Sequence, residues 1–169
     1  MNKQSIFFTI LTAFLSIAIL ILALQFITKK LNIISTKDNN CNVAYSIWLS
    51  SIVISFVLYL KIALNQIENS IEIFVQSNFE GNSLLAIMEK ISIYVGFTFI
   101  FTLSSYFLIN IIMKFFMGVS EVKVEIEKNN MGYFIIKGAV LLSFVFSLLN
   151  IFEHFINWFA PYVETPFYH

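Results

Sequence analysis

The chain has 169 residues, 59% of them hydrophobic, with a formal net charge of zero and a mean hydropathy of +0.84. Only 12% are Asp, Glu, Lys or Arg, against ~25% in a soluble domain, so charges are too few to clothe a water-soluble surface. The neutral balance offers nothing to nucleic acid, and a lone cysteine, Cys41, excludes an internal disulfide and a cysteine-rich zinc site.

Four stretches are long enough to cross a hydrocarbon layer of about 30 Å, which takes ~20 helical residues. The first covers 5–27 without a charge. Its 23 apolar-rich residues exceed the roughly 7–15 of a signal-peptide core, and no small-x-small cleavage site follows, so it reads as a retained helix. The second covers 43–60, with Lys61 placed to snorkel at its end. In lipid the backbone must bond within the segment, so all four read as helices.

The connection 61–90 is the longest. Leu60, Leu64, Ile67, Ile71 and Phe74 recur at heptad-like spacing, with Lys61, Asn65, Glu68 and Glu72 on another face. That pattern predicts an amphipathic helix, either prolonging the second membrane helix into water or lying flat in the interface. Asn78 to Ser83, with Gly81, reads as the turn, which leaves room for a short antiparallel stalk. The third span covers 91–113. After it, Val122-Lys123-Val124-Glu125-Ile126-Glu127 alternates like a strand, but Val119, Val122 and Ile126 also share one helix face. A lone strand has no partner, so a short amphipathic helix is expected. The fourth span covers 133–152, and a tail with Trp158, Phe159, Tyr162, Phe167 and Tyr168 suits the headgroup level.

Seven lysines (Lys29, Lys30, Lys37, Lys114, Lys123, Lys128 and Lys137) flank one face of these spans, and three (Lys3, Lys61 and Lys90) flank the other. The positive-inside rule then puts connections 28–42 and 114–132 in the cytoplasm and both termini outside.

The two hairpins also look alike. Lys37-Asp38-Asn39-Asn40 precedes the second helix, and Glu127-Lys128-Asn129-Asn130 precedes the fourth, 90 residues later. At that offset Phe56 meets Phe146 and Leu58 meets Leu148. The expected fold is an all-α integral membrane four-helix bundle, one membrane domain over 1–169, made of two repeated transmembrane hairpins about an axis along the membrane normal. A charged run, then Asn, then small or apolar residues opening a helix, twice in one chain, resembles the YjfL-like family of small bacterial inner-membrane proteins. The matching positions are Asn39, Asn40, Asn129 and Asn130, with Glu125 and Glu127 ahead of the second pair. The resemblance implies an inner-membrane location and carries no established activity. The longer second connection and the scarcity of Gly and Ala in the spans depart from the family.

Asn39, Asn40, Asn129 and Asn130 are candidate helix caps, since an Asn oxygen accepts from the first-turn N–H groups, or polar residues of a cytoplasmic mouth. Lys137 is the one charge well inside a span, about 6 Å from the helix start. Either it snorkels or it acts with Glu125 or Glu127. Asn110 and Asn150 can bond between helices, and Ser51/Ser55 and Ser143/Ser147 have small-xxx-small spacing. Glu153 and His154 read as a solvated helix end. No Ser-His-Asp set, glycine-rich phosphate loop or paired intramembrane carboxylates can be assembled, so neither catalysis nor a cofactor or metal is expected. The expected function is a structural or interaction subunit, self-associating or anchoring a partner in the bilayer. The alternatives are an oligomeric channel or transporter subunit, with Lys137, Asn110, Asn150 and the serines lining its path, and a membrane-disrupting effector.

Overall fold

An apolar run in lipid satisfies its backbone most simply as a helix, and each of the four runs is helical in the computed structural model, which describes residues 3–30, 42–76, 83–118 and 122–161. In chain order the helices are α1 (Lys3–Lys30), α2 (Val43–Gln76), α3 (Ser83–Met117), α4 (Val122–Glu127) and α5 (Met131–Asn157). Among the described residues there is no strand. The segment 122–127 is a short helix, with Glu125 and Ile126 buried. Four helices are long and apolar enough to cross a membrane, and the chain is a multi-pass membrane protein with a four-helix bundle.

Of the two placements expected for 61–90, the structure has the one in which α2 is prolonged beyond its apolar span, and α3 begins well before its own. The charged residues after Leu60 end the apolar run but not the helix, because Lys, Glu, Asn and Gln all continue the backbone hydrogen-bond ladder. The heptad-like face of 61–90 is the buried face of α2 itself: Leu60, Ala63, Ile67, Ile71 and Phe74 lie in the core, with Ile87 and Tyr94 of α3 in the same cluster as the last four. With 34 and 35 residues, α2 and α3 measure about 51 Å each at 1.5 Å per residue. That exceeds a hydrocarbon layer of about 30 Å by roughly 20 Å, so both helices are longer than a perpendicular crossing needs.

Helix α2 is the centre of the bundle, packing on α1, α3 and α5, while α3 and α5 also meet. The α3–α5 seam is a ladder of rings: Phe97 sits 4.8 Å from Phe155 and 5.0 Å from Phe159, and Phe101 sits 4.8 Å from Phe152. Tyr59 of α2 closes on it, 4.9 Å from Phe152. Across α2 and α3, the Tyr59 hydroxyl lies 3.1 Å from Ser105 Oγ and the Tyr94 hydroxyl 3.3 Å from Ser70 Oγ. These bonds satisfy phenols that would otherwise be costly to bury.

Helix α1 is polar inside and apolar outside. Ser5, Thr12, Ser16 and Thr28 are buried, whereas Phe7, Phe14, Leu22 and Phe26 are exposed. The hydroxyls of Thr9, Thr12 and Thr28 are satisfied by carbonyls one turn earlier. Small polar residues let the α1 backbone approach α2 closely, and large apolar ones meet lipid.

The helix starts do not keep the 90-residue offset of the sequence likeness. Helices α2 and α5 start at Val43 and Met131, and α1 and α3 end at Lys30 and Met117. The starts are therefore 88 residues apart, not 90. At this spacing Asn42, Tyr45, Ser55, Phe56, Val57 and Leu60 fall on Asn130, Tyr133, Ser143, Phe144, Val145 and Leu148. The doubled Asn pairs at 39–40 and 129–130 precede their helices by different distances along the chain.

Candidate functional site

The chemistry of this protein gathers at one end of the bundle, where α2 and α5 begin, α1 and α3 finish, and α4 lies between. A helix start leaves four N–H groups without partners, and asparagines supply them. Asn42 Oδ1 accepts from Tyr45 N at 3.2 Å and opens α2. Asn130 Oδ1 accepts from Tyr133 N at 3.2 Å and caps α5. Asn129 reaches across the bundle, and its Oδ1 accepts from Ala44 N at 3.2 Å. It does so from a left-handed backbone, φ 49°, a conformation Asn adopts more readily than most residues.

Two further bonds tie α4 into this clasp. Asn42 Nδ2 donates to the Ile126 carbonyl at 2.7 Å, and Asn130 Nδ2 donates to Glu125 Oε2 at 2.6 Å. Three asparagines thereby join the starts of α2 and α5 to α4. Asn39 and Asn40 lie outside the described residues. Sequence reasoning missed Asn42, and the signal was present: Asn42-Val43-Ala44-Tyr45 and Asn130-Met131-Gly132-Tyr133 share one pattern of Asn, apolar, small, Tyr.

One turn and a half into α5 lies Lys137, fully buried. Its Nζ sits 4.2 Å from the centroid of the Trp48 ring and 5.6 Å from that of Tyr133. The side chain neither snorkels nor pairs with Glu125 or Glu127: Glu125 is held by Asn130, and among the described residues no carboxylate forms an ion pair with Lys137. The reason is its position. Lys137 shares the buried face of α5 with Phe134, Gly138, Leu141 and Val145. Gly138 brings that face so close to α2 that an added Cβ would stand 3.2 Å from Ser51 Cβ. The amine therefore rests on π-electron faces, near the positive ends of two helix dipoles.

The other predicted residues divide by direction. Ser51 and Ser55 are buried on α2 and donate to the carbonyls of Trp48 and Ser51. Ser143, Ser147 and Asn150 are exposed on α5, with Ser147 Oγ donating to the Ser143 carbonyl. Asn110 is half-buried, and its Oδ1 is buried without a hydrogen-bond partner among the described residues. Glu153 and His154 are exposed, and among the described residues no three His, Cys, Asp or Glu side chains come together as metal ligands.

Beside the clasp, the hydroxyls of Thr28 and Tyr45 are bonded to each other, joining the end of α1 to the start of α2. Beyond them a cavity of about 170 Å³ opens between α1, α2 and α3, with Trp48 in its wall and Val122 and Ile126 of α4 across one end. No protein-family model, no curated protein and no solved structure matches the chain.

Proposed function

We propose that this chain is a self-associating structural subunit of a bacterial inner membrane, and that a second copy docks on the exposed face of α5. One observation carries the reading. Ser143, Ser147, Asn150 and His154 recur at four-, three- and four-residue steps, and all are exposed. Ala139, one turn earlier, is exposed too. Phe, Leu and Ile dominate the exposed surface of α1, as lipid demands, but this line along α5 presents small and polar groups. Asn150 makes no hydrogen bond among the described residues. An amide facing hydrocarbon gains from a partner amide, and small residues around it let two backbones approach. A twofold pairing of α5 with α5 supplies both from one sequence.

The lysine distribution supports cytoplasmic connections at 28–42 and 114–132 with both termini outside. The 88-residue spacing of helix starts supports two repeated hairpins in one orientation, as the resemblance to the YjfL-like family implies. A pore lined jointly by Asn110, Lys137, Asn150 and the serines would need one polar face. Lys137, Ser51 and Ser55 are buried within the bundle, Asn110 is half-buried, and Asn150, Ser143 and Ser147 face outward.

Disulfide trapping tests the pairing. In a Cys41→Ser background, Ser143→Cys and Asn150→Cys should each give an oxidised dimer in native membranes. Phe14→Cys on the apolar face of α1 should stay monomeric. Monomer alone at both α5 positions, with the helices intact, would refute the interface.

A further inference from the structure

The α1–α3 gap has a shape and a lining that select a guest. Helix α1 rests on α2 and makes no comparable contact with α3. The cavity between them runs from Leu20 to Ile27 on α1 and from Phe99 to Tyr106 on α3, about 10 Å along the helices at 1.5 Å per residue. It is elongated and apolar. Two of its few polar side chains are already satisfied, Tyr45 by Thr28 and Thr102 by the Thr98 carbonyl. Its 170 Å³ matches the scale of engineered apolar cavities of about 150 Å³, which stay dry and take a hydrocarbon guest.

The cavity is not sealed. Ala23, Ile27 and Leu103 line it and are also exposed, so it opens sideways between α1 and α3 into the medium around the membrane spans. At the clasp end α4 closes it with Val122 and Ile126. Lys29 on α1 and Lys123 on α4, each close in sequence to lining residues, are exposed, and basic residues at the headgroup level attract phosphate. Helix α5 contributes nothing to the lining, so the site is separate from the proposed dimer face.

We infer that this cavity holds part of one fatty-acyl chain of a membrane phospholipid, which enters between α1 and α3, lies along Trp48 and points toward Leu20 and Phe99. The chain completes the packing that α1 and α3 do not make with each other, while its headgroup stays beside α4.

Trp48 reports occupancy, because it is 4% exposed and bulk lipid does not reach its ring. A Trp158→Phe protein, with Trp48 as its single tryptophan, is reconstituted into phosphatidylcholine vesicles whose acyl chains are either brominated or plain. Bromine quenches on contact, so Trp48 should lose most of its emission in the brominated vesicles. Ala23→Phe, which fills the cavity from α1, should restore that emission. Ile10→Phe, further along α1 and outside the cavity, should leave the quenching as it was. Equal emission in the two vesicles, or quenching untouched by Ala23→Phe, would overturn the inference. Neither result bears on whether α5 pairs with α5.

Discussion

Replacing Lys137 with Met should make the protein more stable. Lys137 is fully buried, and what the structure offers its amine is the Trp48 ring at 4.2 Å and the Tyr133 ring at 5.6 Å. Removing an ammonium from water costs several kcal/mol after relaxation. A desolvated cation–π contact returns about 2 kcal/mol. Methionine keeps most of the side-chain volume and dispenses with the charge, so Lys137→Met should gain roughly 1–3 kcal/mol. Lys137→Ala dispenses with the charge too but empties the space under Trp48. Truncating a buried side chain of this length costs about 2–5 kcal/mol, so the Ala variant should fall below the Met variant by that margin. Reversible unfolding in mixed detergent micelles, followed by helicity, measures both. A Met variant less stable than the parent by more than about 1 kcal/mol would show that the amine makes an interaction stronger than any ring supplies, and the reasoning would fail.

Asn130→Ala removes the bond to Tyr133 N and leaves Glu125 without its 2.6 Å donor; a loss of about 1–2 kcal/mol is expected in the same assay. Gly138→Leu should separate α2 from α5, since even a Cβ there meets Ser51 at 3.2 Å, and gel filtration in mild detergent should show a loss of the monodisperse species. Gly138→Ala should remain folded, with reduced stability. Tyr59→Phe, which deletes the hydroxyl bonded to Ser105, should cost about 0.6 kcal/mol. Tyr59→Ala should cost ~3–5 kcal/mol, because the ring is packed between Phe101 and Phe152. A Phe variant as damaged as the Ala variant would mean that the hydroxyl pair, not the ring ladder, holds α2 to α3.

The four membrane helices were legible because hydrocarbon imposes a length and an apolar composition, and both can be counted along a chain. Their ends were less legible. Lys61 and Glu68 mark where lipid stops and say nothing of where the backbone ladder stops, so α2 and α3 run past the expected boundaries. Asn130 was recognisable as a cap from its place before an apolar run. Asn42 was hidden by the more conspicuous pair at 39–40. The bond from Asn129 to Ala44 could not be read from the chain, because it depends on α4 and α5 folding back over the start of α2. Lys137 was visible as an anomaly, but its fate depends on Gly138 and Ser51 closing the route outward. A lysine at that depth without such a glycine reaches water. The outward direction of Ser143 and Ser147 was likewise set by which face of α5 the bundle buried.

The bond from Asn129 to Ala44 joins residues 85 positions apart, and that separation orders events during synthesis. When α1 and α2 have entered the bilayer, the amide of Ala44 has no cap, and it keeps none until translation reaches the last hairpin. A chain that ends before residue 129 lacks this acceptor. The unfinished polypeptide thus leaves to water a hydrogen bond that the finished one makes within itself.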